Sequence, residues 1–164
     1  MFRELVRKKQ QLSQEECISI LKAEPRGVLS VLGDDGYPYG MPLNHYYCEE
    51  DGKIYFHSGK TGHKVDAMLR DPKASFCVCD PGVREENSWA LIFRSVIVFG
   101  RAREVSDPAE LMDAMKAFAG KYSPKESEDS FRIEMKVSKA PLCVLAIDIE
   151  HKTGKEAVEL VNKG

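Results

Sequence analysis

The sequence lacks the features that mark membrane-spanning, secreted or nucleic-acid-binding proteins. No hydrophobic run approaches the roughly 18 residues that a membrane-spanning helix requires, and residues 1–11 are charged and unlike a signal peptide. The 24 Lys and Arg are balanced by 26 Asp and Glu, so no strong positive field attracts nucleic acid. There is no internal repeat, and the length of 164 residues predicts one domain over residues 1–164.

The five cysteines follow neither a disulfide pattern nor a zinc pattern. An odd number without the spacing of secreted proteins favours free thiols and predicts a cytoplasmic location. Cys77 and Cys79 would share one face of a strand, but a structural zinc site usually needs a second cysteine pair, which the sequence lacks. We therefore interpret the cysteines as buried core residues and predict no metal site.

Common catalytic signatures are also missing. Gly62 is followed by His63, and Val65 stands where a P-loop has its hydroxyl residue. No dinucleotide fingerprint and no G-x-S-x-G nucleophile elbow occurs, and residues 49–51 are typical of a solvated acidic turn. The residues by themselves therefore identify no catalytic group.

What the sequence does contain is a series of short strands joined by turns. The turns at 34–36 and 51–52 are typical of hairpins, so the strands that flank each of them should pair antiparallel. Strands are predicted at 27–32, 37–48, 53–57, 74–79, 89–105 (one strand or two, bent near Gly100) and 141–149. Helices are predicted at 14–23, 63–70, from 108 onwards, and after a cap formed by Thr153 and Glu156. Residues 122–137 are ambiguous, and the whole pattern predicts a mainly β protein with peripheral helices, arranged as a small barrel.

The most informative stretch is FHSGKTGHK, residues 56–64. It leaves a strand, passes two glycines and enters a helix, so free backbone amides and the positive end of the helix dipole meet there. Polar and cationic side chains cluster in the same stretch: Ser58, Lys60, Thr61, His63 and Lys64. This combination predicts a site for an anion such as a phosphate monoester, and the alternative is a solvated loop before an ordinary helix cap.

A second stretch, residues 37–47, combines aromatic residues with a proline inside a strand. Pro42 cannot donate to a strand ladder, so one side of this strand should be an edge. A flat ligand could take backbone hydrogen bonds at such an edge. The alternative is an edge strand whose aromatic residues pack on a neighbour, with His45 and His151 as structural or surface residues.

Four segments together carry a family resemblance: RGVLSVLGDDGYPYGMPLNHYY (26–47), GKIYFHSGKTGHKVDAM (52–68), FRSVIVFGRAREV (93–105) and IDIEHKTGKEAVEL (147–160). The chain resembles the flavin-binding split-barrel proteins related to pyridoxamine 5′-phosphate oxidase, and most of all their 5-nitroimidazole-resistance (Nim) branch. The resemblance implies a six-stranded antiparallel split β-barrel. It also implies a homodimer with FMN at the subunit interface.

The resemblance also implies which residues contact the cofactor. The run that touches the flavin ring falls on Met41, Pro42, Leu43, Asn44, His45 and Tyr46. An aromatic-Thr pair falls on His57 and Ser58, and a phosphate-binding Arg-Lys pair falls on His63 and Lys64. A Gln that begins a later strand falls on Ser95, and Lys60 joins the set as a loop cation.

Two departures from the oxidases make vitamin B6 oxidation an unexpected activity. His63 replaces an Arg, and residues 152–164 contain neither the Trp nor the Arg that close over flavin and substrate. The leading prediction is an FMN-dependent oxidoreductase that passes electrons from NAD(P)H or a protein donor to a small electrophile such as a nitroaromatic. His45 and His57 are the candidate proton donors. The alternatives are a noncatalytic FMN-binding or sensing protein and a haem-binding split barrel with His57, His63 or His45 as axial ligand.

Overall fold

The computed structural model describes residues 1–86, 89–137 and 143–161, and its main element is a β-sheet. The strands are β1 (Arg26–Leu32), β2 (Pro38–Asn44), β3 (Tyr46–Cys48), β4 (Lys53–Ser58), β5 (Lys73–Cys79), β6 (Val83–Arg84), β7 (Leu91–Ile92), β8 (Arg94–Glu104) and β9 (Cys143–Glu156). The helices are α1 (Gln14–Ala23), α2 (His63–Arg70), α3 (Pro108–Tyr122), α4 (Glu128–Val137) and α5 (Val158–Val161).

Seven of the strands form one antiparallel sheet in the order β2-β1-β5-β8-β9-β4-β3. The first and last strands of this order, β2 and β3, are separated along the chain only by His45. The two ends of the sheet are therefore held next to each other, and the sheet curls into the predicted split barrel. The strands β6 and β7 form a separate small hairpin that the sequence did not predict.

The predicted six strands become seven because the strand expected over 37–48 breaks at His45. The His45 N–H donates to the hydroxyl oxygen of Tyr122 (3.0 Å), and its carbonyl accepts from the same hydroxyl (2.7 Å). A residue whose backbone bonds to a helix side chain leaves the strand ladder. The chain can then pair with β1 before His45 and with β4 after it.

Two hydrophobic clusters hold the barrel and its helical cover. Alternate residues of β1 point inwards, and the barrel interior contains the fully buried Leu29, Phe56 and Phe76. The second cluster lies between β3, β4, β9 and helix α3, where Val144 and Phe118 are buried. Each such side chain contributes about 1.5–3 kcal/mol through burial.

Helices α1, α2 and α3 begin at the predicted residues. Ser13 and Glu16 form the predicted capping box, and the Asp107 carboxylate accepts from the Glu110 N–H. The Arg103 guanidinium of β8 donates to Glu110 in the first turn of α3 (2.7 Å) and to Asp148 of β9 (2.9 Å). These bonds connect the start of α3 to β8 and β9. None of the helices within the described ranges is long and apolar enough to cross a membrane.

Several predictions of local structure need correction. Thr153 does not cap a helix, because β9 continues to Glu156 and Thr153 pairs with Ile97 of β8. Of the one or two strands predicted over 89–105, the structure shows two, β7 and β8, and the ambiguous residues after 122 include α4. The strand predicted over 141–149 begins at Cys143, with residues 141–142 lying outside the described residues. The bend near Gly100 is confirmed by a register shift between Phe99 and Gly100.

The cysteines are free thiols, but only Cys17 and Cys143 are buried. Cys77 and Cys79 share one face of β5, as predicted, yet that face points out of the barrel and leaves Cys79 exposed. The expectation of five core cysteines is therefore wrong for Cys79. Within the described ranges, no group of three or more His, Cys, Asp or Glu side chains could hold a metal ion.

Candidate functional site

The loop between β4 and α2 brings together backbone amides and positive charge. Gly62 stands at the start of α2 with a φ of 121° and carries no side chain that could cap the helix. Its carbonyl accepts from the N–H groups of Val65 and Asp66. The amides that open the first turn precede these two and are the ones a helix leaves for an external acceptor.

Two lysines flank these amides. Lys60 is exposed and Lys64 is half-buried, and neither forms an ion pair with a carboxylate in the part of the chain that the structure describes. Both lie near the Cys143 thiol: burial raises its pKa, and the two ammonium groups oppose that rise. The loop therefore carries positive charge that no described carboxylate neutralises.

His63 follows Gly62 but turns its ring away from the lysines. The imidazole stacks on Tyr39 with ring centroids 4.0 Å apart, and Nε2 lies 3.5 Å from a carboxylate oxygen of Asp34. Arg70 donates to the same carboxylate at 2.8 Å. His63 thus joins α2 to the turn between β1 and β2, which brings the start of β2 next to the loop.

Ser58 and His57 end β4 and point to opposite sides of it. Ser58 is buried, and its hydroxyl donates to the Gly59 carbonyl (2.8 Å). His57 is exposed and opens onto a groove beneath α3 and α4. The end of β4 therefore connects the lysine loop with this groove.

The predicted flavin-contacting run, residues 41–46, joins the two edge strands of the sheet: residues 41–44 lie in β2 and Tyr46 lies in β3. Strand β2 pairs only with β1, so the prediction of an edge at Pro42 is confirmed. Met41 points into the core, whereas Pro42 and Asn44 face outwards, and Asn44 accepts from the Arg26 guanidinium (2.9 Å). Tyr46 is half-buried near Phe118, and burial raises its pKa.

His45 differs from its neighbours because its side chain is completely buried. Nε2 lies 2.8 Å from the Leu21 carbonyl, the ring packs edge-on against Phe76, and Nδ1 has no partner among the described residues. Burial, together with the positive charge of Lys121, lowers the pKa of His45 to about 4. The imidazole is a neutral structural group, so it does not act as a proton donor to a molecule bound at the surface.

Sequence reasoning missed the residues that hold His45 in place. Lys121 donates to the carbonyls of Glu24 (2.7 Å) and His45 (3.1 Å), and burial lowers the pKa of its ammonium group. Tyr122 contacts both His45 and the Pro25 carbonyl through its hydroxyl. These residues lie more than 70 positions from their partners, so no local pattern could have identified them.

Ser95 lies far from the lysine loop along β9 within one chain. It pairs with Lys155 near the end of β9, whereas His57 pairs with Val144 near its start. The eleven positions between these partners correspond to about 35 Å along an extended strand. Ser95 and the lysine loop therefore do not form one site in a single subunit.

The chain is similar to a known protein family and to several solved structures. The profile of the pyridoxamine 5′-phosphate oxidase family matches residues 13–156. No curated protein matches the sequence. A conserved hypothetical protein from Mycobacterium tuberculosis shares the fold with a TM-score of 0.78 and 18% identity, over 96% of this chain and 92% of that chain.

Two further solved structures are similar. A protein from Bacteroides thetaiotaomicron assigned to 5-nitroimidazole antibiotic resistance has a TM-score of 0.71 and 20% identity, covering 89% of this chain and 86% of that chain. A FAD-binding protein from Mesorhizobium loti has a TM-score of 0.58 and 25% identity, covering 90% of this chain and 97% of that chain. With a family profile that extends over nearly all of α1 to β9, the chain belongs to the pyridoxamine 5′-phosphate oxidase family.

Proposed function

We propose that the chain is a flavoprotein that binds FMN and reduces small electrophilic molecules. The observation that carries this proposal is the uncapped start of α2 with the unneutralised Lys60 and Lys64 beside it. A phosphate monoester carries nearly two negative charges at neutral pH, and helix amides with lysines are suited to bind it. Family membership and the FAD-binding relative from Mesorhizobium loti support a flavin as the molecule that bears the phosphate.

Different residues would contact the phosphate and the ring of the flavin. Lys64 and Lys60 supply the charge, and the first-turn amides of α2 supply directed hydrogen bonds. The Ser58 hydroxyl, which donates to the Gly59 carbonyl, can rotate to donate one more to the phosphate. His63, held against Tyr39 and Asp34, positions the start of the helix. Of the run 41–46, the outward-facing Pro42 and Asn44, together with His57, would lie along the flavin ring. Met41 points into the core, and the His45 backbone is already bonded to Lys121 and Tyr122.

Bound flavin supplies the capacity to accept a hydride from NAD(P)H, or electrons from a protein donor, and to pass them to an acceptor. The protein orients the acceptor and excludes water around it. His57 is the one histidine of the candidate set that is exposed at the site without a described ion pair or helix contact, so it is the residue placed to hydrogen-bond an acceptor.

We extend the proposal to a homodimer, formed through the outer face of β1, β5 and β8. Val28, Cys77 and Ile97 lie side by side in register there, and Val28 and Ile97 are 42% and 40% exposed. A contiguous apolar face of this kind is typical of a contact surface. In such a dimer Ser95 would serve the flavin site of the opposite subunit, since it lies too far from the loop of its own. Light scattering that gives the mass of a single chain would contradict the dimer.

The alternatives are distinguished by simple observations. A noncatalytic flavin-binding protein would contain FMN but would not turn over NAD(P)H with any acceptor. A haem protein would need an axial histidine, and the burial of His45 leaves only His57 and His63 for that role. An absorption spectrum of the purified protein separates flavin from haem. The free thiols agree with a reducing compartment, and we propose a cytoplasmic location.

The direct test is the affinity for FMN, FAD and riboflavin measured by calorimetry. FMN should bind most tightly, since only FMN ends in a phosphate monoester. Lys64→Ala removes one charge-assisted hydrogen bond of about 1.5–3 kcal/mol, so FMN affinity should fall about 10- to 150-fold while riboflavin affinity is unchanged. Lys9→Ala, at an exposed residue far along the sequence from the loop, is the matched control. Equal affinity for all three flavins would refute the phosphate site.

A further inference from the structure

The groove beside His57 has the lining of a ligand pocket. It has a volume of 390 Å³ and lies between the end of β4 and the helices α3 and α4. Its walls are mostly apolar and are formed by Met115, Phe118 and Ala119 of α3 and by Phe131 and Met135 of α4. Pockets for small molecules are commonly about 300–1,000 Å³ and mainly apolar, so this groove suits a compound of one or two rings.

The walls favour a planar aromatic molecule. Phe118 already belongs to an aromatic group, with its ring 5.7 Å from Tyr122 and 6.5 Å from Tyr46. Aromatic rings and methionine sulfurs both make favourable contacts with a flat ring inserted between them. The His57 imidazole at the edge can donate or accept a hydrogen bond, which suits a polar substituent on that ring.

The charge of the groove restricts the ligand further. Its described lining includes the carboxylate of Glu126 and no Lys or Arg. An anionic ligand would therefore be repelled, whereas a neutral one would not. The cations of the neighbouring loop lie on the other side of Ser58, where the flavin phosphate is proposed to bind.

We propose that this groove is the acceptor site of the protein and that it binds neutral, planar aromatic compounds. This inference rests on the proposed flavin site, because a compound in the groove lies beside His57, the residue before Ser58 at the end of the same strand. It adds the substrate class: a neutral aromatic electrophile is accepted and an aromatic carboxylate is excluded. The groove is not a site for the phosphorylated cofactor, since it offers no positive charge.

The test compares two probes of the same size, 4-nitrobenzyl alcohol, which is neutral, and 4-nitrobenzoate, which is anionic. Binding is measured by calorimetry with the flavin-loaded protein. The neutral probe should bind at least tenfold more tightly, and Glu126→Gln should reduce this difference by improving the binding of the carboxylate. Equal binding of the two probes to the parent protein would overturn the proposed selectivity.

Two substitutions test the location. Ala119→Phe fills the groove and should weaken binding of 4-nitrobenzyl alcohol at least tenfold, whereas Ala23→Phe, at the exposed end of α1, should not. Phe131→Ala removes a wall of the groove without filling it, and it should also weaken binding of 4-nitrobenzyl alcohol. This variant tests the location even where Ala119→Phe does not fold. Unchanged binding in both groove variants would refute the site. Failure of the flavin proposal would be seen separately, as a parent protein that takes up no FMN.

Discussion

The buried His45 makes a quantitative prediction about acid stability. Its imidazole is fully buried, and Nε2 lies within hydrogen-bond distance of the Leu21 carbonyl. Burial and the nearby Lys121 charge lower its pKa from 6.5 to about 4. Only the neutral ring fits the folded protein, whereas the unfolded chain takes up a proton at its ordinary pKa. The stability that depends on neutral His45 is therefore complete above about pH 6.5 and decreases as the pH falls towards 4.

The size of the effect follows from the two pKa values. Between pH 8 and pH 5 the difference in proton binding corresponds to about 2 kcal/mol of unfolding free energy, and to about 3 kcal/mol at pH 4. For a protein of ordinary stability this is a large fraction of the total, which is about 5–15 kcal/mol.

Urea unfolding at pH 8, 6 and 5, followed by circular dichroism, measures this loss. His45→Gln keeps an amide that can donate towards Leu21 but does not titrate, so its stability should fall by about 2 kcal/mol less than that of the parent between pH 8 and pH 5. Ile54→Val, at a fully buried residue with no titrating group, should lower stability by about 0.5–1.5 kcal/mol equally at every pH. A His45→Gln variant with the same pH dependence as the parent would refute a buried neutral imidazole.

Two other substitutions, the second with a control, test the barrel. Tyr122→Phe removes the hydroxyl that contacts the His45 N–H and carbonyl, and we expect a loss of about 1–3 kcal/mol in urea unfolding, with little loss contradicting its role in holding the break between β2 and β3. Gly100→Ala would place a Cβ 2.3 Å from the Asp148 carbonyl oxygen, so the unfolding temperature should fall sharply. At Gly120 in α3 an added Cβ would have no neighbouring atom within 4 Å, so Gly120→Ala should instead raise stability by about 0.5–1 kcal/mol. Equal effects of the two glycine substitutions would contradict the tight contact of β8 with β9.

Local sequence signals determined most of the secondary structure. A capping box, hairpin turns and an N-terminal helix proline act over a few residues, so the starts of α1, α2 and α3 and the pairing of β1 with β2 could be predicted. A short final helix is present as predicted, but its cap was predicted wrongly for the same reason. Thr153 and Glu156 have the spacing of a helix cap, but both residues lie in the long β8–β9 ladder, where their backbones pair with β8.

In the candidate site, too, some features follow from local sequence and others depend on tertiary packing. The residues of the loop at 58–64 lie close together in sequence, and their chemistry together with the family resemblance predicted an anion site at the start of a helix. Tertiary structure alone decided that His63 stacks on Tyr39 while His45 points into the core, since both contacts depend on how helices and strands pack.

By itself the sequence determined the two hairpin pairings, the starts of the helices and the position of the positive loop, because these depend on neighbouring residues, and its resemblance to known proteins indicated the family. Only the tertiary structure decided that one predicted strand breaks at His45, that α3 holds this break through Lys121 and Tyr122, and that a groove opens beside His57. The physical reason is distance along the chain. Hydrogen bonds and apolar contacts between residues more than 70 positions apart leave no periodic trace in the sequence, yet they fix where each side chain points.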